Sequence, residues 1–232
     1  MIAVVDSGVN VPHPHLPAMA VAGGVAIDLE GRESPDYIDR LGHGTAAAAA
    51  IHEKAPQVKI WSVKVFDREL ATTVATLVRA IDWASSRGLR LVNLSLGTPN
   101  DFREHELAPA VERAVARGTI IVSAYEHEGR LWYPGCMAGV VGVVMDAGQD
   151  RHEVSVADVK TAAPSAGAAG PCAPWVLRAS PYPRPVPGVP RERNFNGISF
   201  AVANAVGALA GVLWTRPDVT TAEGAVALLR DH

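Results

Sequence analysis

The segment Lys59–Gly97 reads KIWSVKVFDRELATTVATLVRAIDWASSRGLRLVNLSLG, and its pattern decides the fold. It opens with a β-rich apolar run, Lys59–Phe66, and continues with apolar residues at helical spacing from Thr72 to Arg87, where Gly88 stops the helix. A second apolar run, Leu89–Leu96, follows at once. A strand, a helix and another strand of these lengths predict a βαβ unit, whose two strands lie parallel in one sheet.

The same alternation of strands and helices continues on both sides of this unit. The further predicted elements are strands at Ile2–Val5, Thr119–Ala124 and Val140–Met145, helices at Glu104–Arg117 and Phe200–Trp214, and a last short helix opened by a capping box at Thr220–Glu223. This pattern predicts one α/β domain, residues 1–232, with a central mainly parallel sheet covered by helices on both faces. The stretch 161–196, rich in Pro, Gly and Ala, is predicted to be a long irregular excursion.

Composition and charge exclude several classes of protein. With 48% hydrophobic and 19% charged residues, the 232-residue chain has the apolar surface that a disordered chain lacks. A net charge of −3 without a dense run of Lys and Arg gives no footprint for nucleic acid. The longest apolar stretches, Met137–Met145 and Ile198–Trp214, are shorter than the ~20 residues that span a bilayer. We therefore expect neither a nucleic-acid partner nor a membrane segment.

The N-terminus and the cysteines predict a cytoplasmic location. Met1 is followed directly by a strand, with no basic segment and no small-residue cleavage site of a signal peptide. Cys136 and Cys172 are too few and too far apart for a zinc site. Two reduced thiols are favoured over one disulfide, which stays the alternative. No acidic cluster indicates calcium, so no metal and no cofactor are predicted.

Three polar residues in this pattern point to nucleophilic catalysis when they are taken together. Asp6 ends the first predicted strand, His43 stands between two glycines before a run of alanines, and Ser199 follows Asn196-Gly197-Ile198 at the start of the buried helix. Singly, the aspartate is typical of a turn and the serine of a helix N-cap. A nucleophilic serine, however, needs an imidazole to accept its proton and a carboxylate to orient that imidazole. Their order along the chain, Asp–His–Ser, is that of subtilisin and differs from that of chymotrypsin.

The chain resembles the subtilisin-like serine proteases, the subtilase family, over nearly its whole length. The residues that carry the resemblance are Ile2–Val9 with His13–Leu16, the motif Asp39–Thr45 around His43, the strand Val92–Gly97, the stretch Tyr133–Asp146, and Asn196–Ala201 with Ala205–Gly207. The resemblance implies a three-layer subtilisin-like fold. It also implies that Asp6 orients His43, that His43 is general base and then general acid, and that Ser199 attacks the scissile carbonyl.

The resemblance also assigns a substrate-binding surface. We expect an extended peptide to pair along Leu94, Ser95, Leu96, Gly97 and Thr98 as an added strand. The chain departs from the family in the next loop, where His127 stands in place of the asparagine that donates to the oxyanion. A histidine can donate there or merely fill the loop, and both alternatives stay open.

Tyr125 and Glu126 replace the small residues of the first specificity pocket. A preference for a basic or small residue before the scissile bond is the resulting hypothesis. The predicted function is a serine endopeptidase acting on a peptide or protein substrate, including the maturation of a specific precursor peptide. A transpeptidase or macrocyclase using the same acyl-enzyme, and a non-catalytic peptide-binding pseudoprotease, are the alternatives.

Overall fold

The structure is a computed structural model that describes residues 1–157 and 175–230. Its strands are β1 (Ile2–Asp6), β2 (Val21–Ile27), β3 (Glu33–Ser34), β4 (Ile60–Lys64), β5 (Leu91–Leu94), β6 (Ile120–Ala124), β7 (Glu126–His127), β8 (Arg130–Leu131), β9 (Val140–Met145), β10 (Val154–Ala157) and β11 (Val176–Ala179). Its helices are α1 (His43–Lys54), α2 (Val74–Ser86), α3 (Glu104–Ala116), α4 (Ile198–Trp214) and α5 (Ala222–Arg230).

Nine of the strands form one sheet in the order β10-β11-β9-β6-β5-β1-β4-β2-β3. The seven strands from β11 to β2 in this order are parallel, and only the outer strands β10 and β3 run antiparallel to their neighbours. β1 lies near the centre, between β5 and β4, with Val5 opposite Leu94 and Asp6 opposite Lys64. The predicted mainly parallel sheet is confirmed, and the residues that follow β1 and β5 meet at its carboxyl edge.

Helices cover both faces of the sheet and make a three-layer structure. On one face, the buried side chains of α1, α4 and α5 pack with Ile2, Val4 and their neighbours into one apolar cluster. On the other face, α2 and α3 pack with Ala3 and Val5 into a second cluster. Alternate residues of β1 therefore serve opposite cores, as the period of two along a strand requires. The two helices that begin at or next to His43 and Ser199 lie on the same face.

The predicted strands and helices are confirmed with shifts of a few residues at their ends, whereas the seven-residue strand β2 and several short strands were not predicted. β2 contains Gly23 and Gly24, which weaken a strand pattern. A Cβ on Gly24 would lie 2.6 Å from the backbone oxygen of Ser62 and from the ring of Tyr37, so close packing against this strand explains the glycine. β11 lies inside the stretch that was predicted to be irregular, and this prediction is wrong for Val176–Ala179.

Two further sequence predictions concern the chain end and the cysteines. The N-cap of α5 is Thr221, whose Oγ1 accepts the amide of Gly224 at 3.1 Å, so the capping box predicted to begin at Thr220 is wrong by one residue. Cys136 is buried, and Cys172 lies outside the described residues. In the part of the chain that the structure describes, no helix has the length and apolar character needed to cross a membrane.

Candidate active site

Asp6, at the carboxyl end of β1, is the buried carboxylate of the site. Its side chain is fully buried, and its Oδ1 accepts the amide of Ser7 at 2.7 Å and contacts Nδ1 of His43 at 2.7 Å. Among the described residues, Oδ2 has no hydrogen-bond partner. A carboxylate shielded from water in this way interacts strongly with a cation, because the local dielectric constant is low.

His43 is the first residue of α1, and a left-handed glycine sets its position. Gly42 has φ 81°, a value that favours glycine, and it turns the chain so that the helix begins at the imidazole. Gly44 then packs against β1, since a Cβ there would lie 2.3 Å from the backbone oxygen of Gly8. Because Nδ1 faces Asp6, the tautomer with a proton on Nδ1 leaves Nε2 free to accept a proton.

The surroundings of His43 favour its charged form. Burial by itself lowers the pKa of the imidazole, but the hydrogen bond to Asp6 and the negative charges of Asp6 and Asp39 outweigh burial and raise the pKa above its usual value. An imidazolium that is stabilised by a buried carboxylate is what a general base must become when it accepts a proton.

Ser199 is the second residue of α4 and reaches the same edge of the sheet. Its Oγ donates to the carbonyl oxygen of Ser95 at 3.1 Å, not to His43. Ser95 follows β5, the neighbour of β1, and adjacent strands lie ~4.8 Å apart. Phe200, next to the serine, packs against the His43 ring, with the ring centroids 4.9 Å apart and the planes tilted by 46°. The structure thus brings all three predicted residues to one place, with the serine turned toward a backbone acceptor.

The segment predicted to bind substrate is fixed at one end and partly buried. Leu94 and Ser95 are buried, whereas Leu96, Gly97 and Thr98 are partly exposed. Thr98 already exchanges both backbone hydrogen bonds with Tyr133, at 2.9 Å each. The Leu94 side chain packs in the core, and the Leu96 carbonyl accepts the Ser123 hydroxyl at 3.3 Å. Pairing of a substrate along this segment stays a prediction.

The residues predicted to form the oxyanion site and the specificity pocket lie on or beside a short hairpin. β7 and β8 pair through a turn at Glu128 and Gly129, both with positive φ, as type I′ hairpins require. His127 packs edge-on against Trp132, and its buried Nδ1 has no hydrogen-bond partner among the described residues. The roles predicted for these residues stay predictions.

Tyr125 and Glu126 differ in their exposure. Tyr125 is fully buried and packs against Gly142, so its ring faces the core rather than a substrate. Glu126 is partly exposed and pairs with Leu131 across the hairpin. Of the two, only Glu126 offers a side chain to the surface.

Asp39 is a buried carboxylate whose role the sequence analysis missed. Its Oδ1 accepts the Ser7 hydroxyl and the amides of Leu41 and Gly42 at 2.8–2.9 Å, and its Oδ2 accepts the amide and hydroxyl of Thr45 at 2.9 and 2.6 Å. Burial alone raises the pKa of this carboxyl, but these hydrogen bonds hold it below its usual range. Asp39 therefore ties the end of β1 to the loop and helix that carry His43. The signal in the sequence was an acidic residue four positions before the histidine.

A ring of aromatic and apolar side chains borders the imidazole. Phe195 is partly exposed, lies 6.1 Å from His43 between ring centroids, and stacks on Phe200 at 5.8 Å.

Residues 1–157 and 175–230 contain no group of three His, Cys, Asp or Glu side chains arranged to hold a metal ion. The side chains of Asp6, His43 and Ser199 can supply acid–base and nucleophilic chemistry.

Comparison with known proteins places this geometry in a family. The Subtilase family model matches residues 1–231. This chain is a subtilase. Subtilisin from Bacillus pumilus is 29% identical over 238 residues, which cover 96% of this chain and 79% of that protein. The minor extracellular protease Epr of Bacillus subtilis (strain 168) is 33% identical over 154 residues, which cover 61% of this chain. The chain spans 22% of the length of Epr and 40% of a thermostable alkaline protease of Halalkalibacterium halodurans.

Solved structures of proteases share the fold of this subtilase. The nisin leader peptidase NisP from Lactococcus lactis superposes with a TM-score of 0.71 at 18% identity, covering 99% of this chain and 80% of NisP. A lanthipeptide protease gives a TM-score of 0.69 at 18% identity, covering 99% of this chain and 78% of that one. At these identities the likeness concerns the fold, and it confirms the predicted three-layer architecture.

Proposed function

We propose that this subtilase is a serine endopeptidase that cleaves peptide bonds through an acyl-enzyme on Ser199. The observation that carries the proposal is the buried 2.7 Å contact between Asp6 and His43 at the sheet edge where Ser199 begins α4. His43 accepts the Ser199 proton as the hydroxyl attacks the carbonyl, and Asp6 stabilises the resulting imidazolium. His43 then protonates the leaving amine, and water attacks the ester in the second half of the cycle.

The position of Ser199 supports charge stabilisation as well as attack. Backbone amides at the start of α4 are unpaired within the helix, and the helix dipole is positive at that end. An oxyanion that forms beside Ser199 would meet these groups. The hydrogen bond from the Ser199 hydroxyl to the Ser95 carbonyl must break before the hydroxyl can donate to His43.

The bond between Ser199 and Ser95 also favours a second candidate, a peptide-binding protein without catalysis. A fluorophosphonate probe separates the two, because it reacts only with an activated serine. We expect the wild type to be labelled and Ser199→Ala not. Ser155→Ala, which removes an exposed serine on β10, is the matched control and should be labelled like the wild type. A folded wild type that resists the probe would overturn the endopeptidase proposal in favour of the binding protein.

His127 is proposed as the side-chain donor to the oxyanion. Its support is the pairing of β7 with β8, which fixes the backbone of His127 opposite Arg130, and a buried Nδ1 without a partner in the described residues. Losing such a donor typically lowers kcat by ~10²–10³-fold. We expect this loss in His127→Ala with KM nearly unchanged, and substantial recovery in His127→Asn, which restores an amide donor. Equal kcat in His127→Ala and the wild type would mean that the ring only fills space beside Trp132.

The substrate is proposed to be a specific precursor peptide with a basic or small residue before the cut. The shared fold with a nisin leader peptidase and a lanthipeptide protease is consistent with processing, and the partly exposed Glu126 is consistent with a basic side chain. Peptides that differ only at that position test this: Glu126→Gln should lose the preference for Lys or Arg. Indifference of the wild type to charge there would refute it.

Product mass separates hydrolysis from transpeptidation. A hydrolysed product gains the mass of water, whereas a cyclic product does not.

The cytoplasmic location stays a prediction.

A further inference from the structure

A cleft on the face opposite the catalytic helices gathers four arginines. It lies between α2, α3 and the β2–β3 turn, has a volume of about 460 Å³, and falls within the ~300–1,000 Å³ typical of ligand sites. The basic residues that line it are Arg79, Arg87, Arg113 and Arg117, and the acidic ones are Asp82 and Glu33. Four guanidiniums against two carboxylates leave this cleft positive in a chain whose net charge is −3.

Three of the four arginines have no carboxylate partner in the part of the chain that the structure describes. Arg113 forms a bidentate pair with Asp82, at 3.0 and 2.7 Å. Within residues 1–157 and 175–230, no carboxylate lies within salt-bridge distance of Arg79, Arg87 or Arg117. Gathering like charges without partners costs free energy, and an anion in the cleft would offset that cost.

The unpaired arginines are held in place rather than left free. The Arg87 guanidinium stacks on the ring of Trp83, 3.9 Å from its centroid, and its Nη1 donates to the Trp83 carbonyl at 3.4 Å. Nη1 of Arg117 donates to the Ser85 hydroxyl at 3.1 Å, and Nη1 of Arg79 donates to the Gly31 carbonyl at 3.0 Å. Each guanidinium has five N–H donors, so most of them stay available. Side chains fixed before binding lose less conformational entropy on binding.

Helix capping explains only part of this arrangement. Arg87 and Arg117 follow α2 and α3 directly, where a positive charge complements the helix dipole. Arg79 lies in the middle of α2, where the dipole gives it no such role.

We infer that this cleft binds an acidic peptide segment of a partner protein, at a site separate from the cleavage site. Planar guanidiniums match carboxylates in a bidentate geometry, and the cleft also offers acceptors, Asp82 and Glu33, for the amides that a peptide brings. A phosphate backbone has no N–H groups that Asp82 and Glu33 could accept, which favours a peptide over nucleic acid. The inference does not depend on the proposed peptidase activity, because α2 and α3 lie on the other face of the sheet from α1 and α4.

Calorimetry with a hexaglutamate peptide at low salt tests the inference on the Ser199→Ala protein, which should not cleave the probe. In this Ser199→Ala parent protein, we expect the further change Arg87→Ala/Arg117→Ala to weaken hexaglutamate binding by about tenfold or more. We also expect 0.5 M salt to weaken hexaglutamate binding to the parent protein itself. Arg103→Ala/Arg216→Ala removes the same charge outside the cleft, from residues paired with Glu106 and Asp218, and should stay within about twofold of the parent. Hydrogen exchange should show protection by the peptide at residues 79–87 and 113–117.

Several results would overturn the inference. The first is that hexaglutamate does not bind the Ser199→Ala protein, and the second is that both double variants weaken hexaglutamate binding equally. The third is that oligothymidylate or inorganic phosphate binds more tightly than hexaglutamate. The fourth is that Arg87→Ala/Arg117→Ala lowers the melting temperature but leaves the affinity for hexaglutamate unchanged. The last result would assign these arginines to helix capping alone. None of them bears on labelling of Ser199, so the two proposals fail independently.

Discussion

Replacement of Asp39 by alanine should destabilise the subtilase strongly, because one buried carboxylate accepts five hydrogen bonds. The bonds come from Ser7, Leu41, Gly42 and both donors of Thr45, at 2.6–2.9 Å. Hydrogen bonds to a charged group contribute ~1.5–3 kcal/mol each, but contributions that share one group do not add. Each buried donor left unsatisfied costs ~1–3 kcal/mol, and because these costs do not add fully, we expect a total of ~3–5 kcal/mol for Asp39→Ala.

Chemical denaturation at pH 7, followed by circular dichroism, measures this loss. Asp36→Ala is the matched control, because Asp36 lies in the same loop and pairs with Arg40 at 2.7 Å while half exposed. An exposed pair contributes at most about 1 kcal/mol. Asp39→Asn, which keeps one acceptor oxygen but turns an N–H toward the Thr45 donors, should fall between the two.

The pH dependence gives a second, independent readout. The pKa of Asp39 is lowered in the folded protein, so its contribution is fully present above its unfolded pKa of ~3.9 and is lost as the pH falls through the folded value. The difference between wild type and Asp39→Ala should therefore shrink below about pH 4. If Asp39→Ala costs no more than Asp36→Ala at pH 7, the network around Asp39 does not hold the histidine loop, and the reasoning fails.

Three more predictions test the site and its support. The rise of kcat/KM with pH should have a midpoint above the usual ~6.5 of histidine, because the pKa of His43 is raised and the base must be neutral. Asp6→Asn should lower both the midpoint and the rate. An unshifted midpoint in that variant would contradict the pairing of His43 with Asp6. Gly44→Ala should lower kcat/KM by ~10²-fold, because a Cβ would lie 2.3 Å from the Gly8 carbonyl and 3.1 Å from Asp6 Cβ. Gly211→Ala in α4, where an added Cβ would meet only the Lys54 carbonyl oxygen at 3.7 Å, should leave kcat/KM unchanged, and equal rates in the two variants would count against the geometry. Burial lowers the pKa of Lys54 to about 8. Because the unfolded chain binds an extra proton between about pH 8 and 10, the free energy of unfolding should rise over that range by up to ~1.4 kcal/mol per pH unit. Denaturation of Lys54→Met should lack this rise, and an identical dependence of the unfolding free energy on pH in that variant would show that another group causes it.

The part of the site that could be predicted from the sequence is the part encoded locally. Gly42-His43-Gly44 and Gly197-Ile198-Ser199 each mark a helix start, and Asp6 ends an apolar strand, so short-range patterns identified the candidates. Their convergence could be predicted because parallel strands end at one edge and because the motifs resemble one family. The strands β3, β7 and β8 could not be predicted, since two residues carry no period, and β2 was missed because Gly23 and Gly24 weaken its strand pattern.

By itself, the sequence determined the fold class, the order of the main strands and helices, and the three residues of the candidate site, because hydrophobic period and glycine placement act over a few residues. Only the tertiary structure decided which groups surround those residues. It turned Ser199 toward the Ser95 carbonyl, buried Tyr125, placed Asp39 under the His43 loop, and gathered four arginines from two helices. These outcomes depend on contacts between residues far apart in the chain, where packing and hydrogen bonding choose among arrangements that local sequence allows equally.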